Sequence, residues 1–150
     1  MIERYVAQFW IGTIESEGLF GDFMGENPAY WEAEDPTEEG IPLSRFIESQ
    51  GETWFDHDFL ECGYDNTPGC LTERFSPYSF ASQWVPVIEA KMASLGIESI
   101  NTFIMLGIDE KSDGTRGCQV KHPRAHREAG IDLVFIGEIG CDHDISWMTR

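Results

Sequence analysis

Tyr5-Val6-Ala7-Gln8-Phe9-Trp10-Ile11-Gly12-Thr13-Ile14 decides the fold. The stretch is rich in aromatic and β-branched side chains, and both alternating sets are largely apolar: Tyr5, Ala7, Phe9 and Ile11 on one side, Val6, Trp10 and Ile14 on the other. Side chains of a strand alternate between faces, so apolar residues on both sides predict a strand covered above and below. Residues 100–108 and 131–139 read the same way, as short apolar runs ended by glycine or charge. The pattern predicts three central strands.

Between these runs, Phe80, Trp84, Val87, Ile88, Lys91, Met92 and Leu95 recur at helical spacing, and Gly96 is suited to a left-handed C-cap. Pro86 would interrupt that helix, so the expected start is Ser82 as N-cap, with Pro86 in the first turn. Trp84, Ile88, Met92 and Leu95 are expected to face Phe9, Ile11, Ile104 and Phe135, because the strongest helical stripe needs the most apolar strands to bury it. A shorter helix is expected over residues 42–50, with Leu43, Phe46 and Ile47 turned inward and Gly51 as the stop, and a weaker one over 17–24, where Leu19, Phe20 and Phe23 share a face. The class is α+β: a single domain over 1–150, its central mostly antiparallel or mixed sheet packed by one main amphipathic helix and shorter helices. A chain of 150 residues with 41% hydrophobic content buries enough surface to need no staple.

Charge narrows the function. The chain holds 27 acidic and 10 basic residues. Residues 1–75 carry 17 acids and 3 bases, and residues 76–150 carry 10 acids and 7 bases. A one-sided field of this size repels nucleic acid and anionic membrane and steers a cationic protein surface, although an acidic surface also serves solubility. No run approaches the roughly 20 apolar residues that span a bilayer, and the start lacks the basic head of a signal peptide. The expected location is the cytoplasm, where Cys62, Cys70, Cys118 and Cys141 stay free thiols.

Two segments read as loops. Residues 25–41 hold Pro28, Pro36 and five acids within eight residues, which predicts an exposed loop and no helix. Within it, Tyr30 and Trp31 stand directly before Glu32, Glu34, Asp35, Glu38 and Glu39. Aromatic anchors ringed by charge suit a protein partner; the alternative is that Trp31 folds back onto the core. Residues 109–130 reverse the sign with Lys111, Arg116, Lys121, Arg124 and Arg127, alongside His122 and His126, and are expected to dock on the acidic half of the chain.

Asp56-His57-Asp58 and Asp142-His143-Asp144 are the candidates for chemistry. On a strand the two carboxylates of either tripeptide could share a cation; in a turn they accept backbone hydrogen bonds instead, the commoner role. Zinc held by Cys118 and His122 with Cys141 and His143 is disfavoured by the spacing. Nucleophile elbows, phosphate loops and dinucleotide fingerprints are absent. No cofactor is expected.

Gln8-Phe9-Trp10-Ile11-Gly12-Thr13-Ile14-Glu15-Ser16 resembles the first motif of the immunity protein 22 family of bacterial polymorphic-toxin systems. Ile41-Pro42-Leu43-Ser44-Arg45-Phe46, followed by Trp54-Phe55-Asp56-His57-Asp58-Phe59-Leu60-Glu61, resembles that family's helix leading into a Trp/Tyr-Asp-x-Asp-Phe-x-Glu segment. The likeness covers about the first 65 residues, with a looser match in the later helix and in residues 100–108; the segments 32–40 and 109–130 depart from the pattern. It implies a protein that binds and neutralises a cognate toxin. The expectation is a non-enzymatic inhibitor of a basic toxin domain, with Tyr30, Trp31, Glu32, Glu34, Asp35, Glu38, Glu39, Asp56, Asp58 and Glu61 at the interface and with neither nucleic acid nor membrane as partner. The alternatives are a small acidic metal-binding protein or hydrolase using the Asp-His-Asp segments, and an acidic adaptor without a toxin partner.

Overall fold

In the computed structural model, which describes residues 2–110, 116–117 and 119–144, the opening apolar run lies within the long central strand β1, Ile2–Ile14. There follow helices α1 (Glu17–Met24), α2 (Pro28–Glu32) and α3 (Arg45–Ser49), a 3-10 turn (His57–Phe59), strand β2 (Leu60–Tyr64), and helices α4 (Leu71–Arg74) and α5 (Ala81–Leu95). The chain closes with β3 (Thr102–Gly107), β4 (Asp109–Glu110), β5 (Arg116–Gly117), β6 (His126–Glu128) and β7 (Ile131–Asp144). Among the described residues the main sheet has five strands in the order β2-β3-β1-β7-β6, every neighbour antiparallel. The architecture is α+β, and the three strands expected from the apolar runs form its middle.

Alternation along β1 divides the core in two. Ala7, Phe9 and Ile11 pack with Phe103, Met105, Phe75 and the inner stripe of α5; Trp10 and Ile14 pack on the opposite face with Ile104, Phe23 of α1 and Phe46 and Ile47 of α3. A bulge interrupts the β1–β7 ladder, where Phe9 pairs with Gly137 and Trp10 with Phe135, leaving Ile136 as the extra residue. Gly137 accommodates it with a φ of 105°.

Several expectations need correction. Trp84 meets Phe9, Phe103 and Phe75, with ring centroids 5.5, 4.7 and 5.9 Å away, but neither Ile104 nor Phe135. Ile104 follows Phe103 on a strand and so points to the other face, and Phe135 packs on Trp10 at 5.0 Å. The inner stripe of α5 is Ala81, Trp84, Val85, Ile88 and Met92, while Val87 and Leu95 are 40% and 56% exposed. Ile97 packs where Leu95 was expected: past Gly96, its N–H bonds Met92 O in a Schellman turn that folds it back onto the cluster.

Helix α5 starts at Ala81, with Phe80 as N-cap, so Pro86 sits in its second turn and not its first. The added turn is anchored by Gln83 N–H and Trp84 N–H to Phe80 O and by the Trp84 indole N–H to Ser79 O at 2.7 Å. Helix α3 begins at Arg45 and not near Pro42, because the Ser44 hydroxyl accepts from Ile47 N–H and sets the N-cap there. The acidic segment is not all loop: Asn27 Oδ1 accepts from Ala29 N–H, Pro28 opens the first turn, and α2 forms.

Four carboxamide side chains among the described residues do the work of missing strand neighbours, each giving one bond to a backbone carbonyl and taking one from the same residue's N–H. Gln8 pairs so with Val120 (2.8 and 3.2 Å), Gln50 with Arg124 (3.0 and 2.8 Å), Gln83 with Asp142 (2.8 and 2.8 Å) and Asn101 with Ile14 (2.9 and 2.9 Å). Backbone groups near a core must find such partners. The first two of these pairs dock residues 119–124 onto the face that holds Trp10, helped by the Trp10 indole N–H to Arg124 O and by Lys121 N–H to Glu52. The basic segment therefore does dock on the acidic half, but mainly through carboxamides and backbone, and Lys121, His122 and Arg124 remain exposed. Arg45 and Glu128 add an ion pair between α3 and β6 at 2.8 Å. Lys111, Cys118 and the side chains of Arg116 and Asp144 lie outside the described residues.

Candidate functional site

Helix α2 sorts its two aromatic residues by role. Tyr30 is half-buried against the α1–α3 side of the core, and Trp31, stacked edge-on to it at 5.2 Å, is 58% exposed. Trp31 therefore does not fold back onto the core. Beyond Ala33, where the last N–H of the helix bonds Ala29 O, the chain closes a compact turn: Asp35 Oδ1 accepts from Glu38 N–H, Asp35 O from Glu39 N–H, and Pro36 O from Ile41 N–H. The end of α2 and this hydrogen-bonded turn together present Glu32, Glu34, Asp35, Glu38 and Glu39 to solvent.

His57 joins this segment to the Asp56–Asp58 turn. Its ring lies 6.4 Å from the Trp31 ring, its Nδ1 is 3.1 Å from Glu26 Oε2, and its Nε2 is 3.6 Å from Asp58 Oδ1. The hydrogen bond it donates to Glu26, with the Asp58 and Asp56 carboxylates nearby, holds the imidazole above its ordinary range. Asp56 behaves as the turn reading anticipates: its Oδ1 accepts from Asp58 N–H at 3.0 Å, while its own N–H bonds Gln119 Oε1. Among the described residues Asp58 has no backbone donor, and its exposed carboxylate faces His57 Nε2.

The structure thus gathers Tyr30, Trp31, Asp56 and Asp58 on one face through His57. Glu61 is engaged elsewhere: both its carboxylate oxygens accept from Ser79, through the backbone N–H at 2.8 Å and the hydroxyl at 2.9 Å, fixing the turn that leads into α5. Sequence reasoning passed over three contributors. Trp54, 49% exposed, lies three residues before His57 and is a second solvent-facing indole. Glu26, just past α1, is the acceptor that positions His57. A cleft of about 440 Å³ opens beside it, its lining including Asp22, Glu26 and Glu48 together with Ser44 and Arg45. Only Trp54 carried a legible signal, an aromatic residue directly before an acidic turn.

The second tripeptide is differently placed. Asp142 is tied by its backbone to Gln83 at the margin of β7, its carboxylate lies 3.9 Å from Arg4, and the His143 ring packs on Phe80 at 5.5 Å. Cys141 is buried in the core beneath α5. Among the described residues, no group of three or more His, Cys, Asp or Glu side chains is arranged to hold a metal ion. An exposed indole on a short capped helix, surrounded by carboxylates from two chain segments, has the composition of a protein-docking face: an anchor that loses water on contact and a charged rim that selects the partner's sign. Comparison of the chain with protein-family models, with curated proteins and with solved structures finds no match.

Proposed function

We propose that this protein is a non-enzymatic, cytoplasmic immunity protein that binds a cognate bacterial toxin domain through a cationic surface of that domain and neutralises it. The observation that carries the reading is the Trp31 indole, 58% exposed, joined through His57 to the acidic turn at Asp56 and Asp58. Charge supports it independently, since the first half of the chain holds 17 of the 27 acids and only 3 bases. A toxin that handles nucleic acid must itself be cationic to hold phosphates, so such a partner would be steered to this face. The likeness of residues 8–16, 41–46 and 54–61 to immunity protein 22 motifs adds a third line of support. Among the described residues no helix is long and apolar enough to cross a membrane.

Binding rather than catalysis is favoured by how the candidate catalytic groups are engaged. Asp56 is occupied in capping its own turn, His57 has a carboxylate facing each ring nitrogen, and neither lines the cleft beside Glu26. The test is co-expression with the C-terminal domain of a candidate toxin, sought first in the neighbouring reading frame. Growth should be restored when the two are made together, and the purified proteins should co-elute. A toxin domain that kills equally with and without this chain, and that elutes separately from it, overturns the proposal.

A further inference from the structure

Each nitrogen of the His57 ring faces a carboxylate: Nδ1 meets Glu26 Oε2 at 3.1 Å and Nε2 meets Asp58 Oδ1 at 3.6 Å. These carboxylates come from different parts of the chain, one just past the end of α1 and one from the 57–59 turn, and the ring itself packs toward Trp31 of α2. A neutral imidazole carries a single N–H, so it satisfies one of the two and turns a lone pair toward the other. The imidazolium donates to Glu26 and turns its second N–H toward Asp58, which it meets as an ion pair at 3.6 Å. The charged groups acting on the ring are Glu26 from the α1 end and Asp58 and Asp56 from its own turn, all acidic, while α2 presents Trp31, which is uncharged.

We infer that His57 is a proton-operated clasp on the partner-binding face: protonated, it ties Glu26 to the Asp58 carboxylate and seats Trp31 against the turn; deprotonated, it lets one carboxylate go and loosens Trp31. His57 is then a positioning residue acting through Trp31, and the inference rests on the proposed function only for what the seated indole does next. The sign follows from the raised imidazole. The clasp is closed below the ordinary imidazole range and opens as pH rises through the raised value. A seated anchor has less freedom to lose on docking, so a bound partner should dissociate more slowly when the clasp is closed. Association should change little, because one proton alters a small share of the total negative charge.

The clasp is testable without any partner. NMR titration of the free protein from about pH 5 to pH 9 should give His57 a midpoint above that of an ordinary histidine side chain, and the Trp31 indole N–H resonance should move with the same midpoint. In His57→Gln the amide can still donate to Glu26 but cannot titrate, so the Trp31 resonance should lose that pH dependence while the fold is retained. A Trp31 resonance that ignores pH in the wild type overturns the clasp, and so does one that titrates with the same midpoint in His57→Gln. Neither outcome bears on whether a toxin is bound. Conversely, a working clasp in a chain that binds no toxin would leave the device standing and remove the proposed function.

Discussion

Replacing Gln8 with alanine tests the idea that carboxamides act as stand-in strand neighbours. Gln8 is 2% exposed, in the middle of β1, and its two bonds to Val120 are the innermost attachment of residues 119–124. Truncation leaves a buried N–H and a buried C=O on Val120 without partners. Each orphaned group costs about 1–3 kcal/mol, so the pair should cost about 2–6 kcal/mol, with the lower half of that range applying if water reaches the gap. Against a total of about 5–15 kcal/mol for a domain of this kind, the change is large. In urea the midpoint should fall while the slope stays the same, and the Val120 amide should exchange its hydrogen far faster than its neighbours in β1. Gln8→Glu provides an internal control. It keeps an acceptor but buries a carboxyl group, whose pKa burial raises, so its penalty should be smallest at acid pH and grow as pH rises through that raised value. If Gln8→Ala lies within about 0.5 kcal/mol of the wild type and Val120 remains protected, the reasoning about these amides is wrong.

Trp84→Ala should cost about 3–5 kcal/mol, because the indole is fully buried among Phe9, Phe75 and Phe103; a calorimetric loss below about 1 kcal/mol would contradict the packing described for α5. Gln83→Ala removes both bonds to the Asp142 backbone and should cost about 1 kcal/mol, with faster exchange at the Asp142 amide; unchanged exchange there would show that β7 needs no such partner. A thiol reagent at neutral pH should label exposed Cys70 well before Cys62, whose thiol burial pushes up to about 11, and before buried Cys141, also pushed up; mass mapping that finds Cys62 first would refute this order.

What could be read from the sequence follows physical range. The two-sided apolar alternation of residues 5–14 is a local, short-period signal, and it identified both the central strand and the division of the core. The spacing of Trp84, Ile88 and Met92 likewise marked the buried side of α5. Which strand residues that side would meet was not local: Ile104 and Phe135 are as apolar as Phe103, and only register decides between them. Starts and stops were set by single side-chain bonds, at Ser44 and at Asn27, that composition hides; five acids within residues 32–39 masked the Asn27-Pro28 signature of α2. At the candidate face the acids and Trp31 were legible as types. Their convergence was not, because it depends on Glu26 and Asp58 meeting one ring from opposite sides. The reciprocal carboxamide pairs left no trace in the sequence, since each spans a long separation and glutamine is equally common on surfaces.

The central claim, that a ring of carboxylates steers a cationic partner to the Trp31 anchor, is tested most directly by association kinetics at two salt concentrations with the toxin domain that rescue by co-expression identifies. The comparison is between the wild type and a variant carrying Glu32→Gln, Glu34→Gln, Asp35→Asn, Glu38→Gln and Glu39→Gln, with Trp31→Ala as reference. At low salt the charge variant should associate more slowly, and the difference should shrink as screening shortens the reach of the field. Trp31→Ala should leave association nearly unchanged and speed dissociation by about 30-fold, equivalent to about 2 kcal/mol. A charge variant that associates as fast as the wild type at low salt, together with a Trp31→Ala variant that dissociates no faster, would contradict the account and reduce the acidic segment to a solubilising surface.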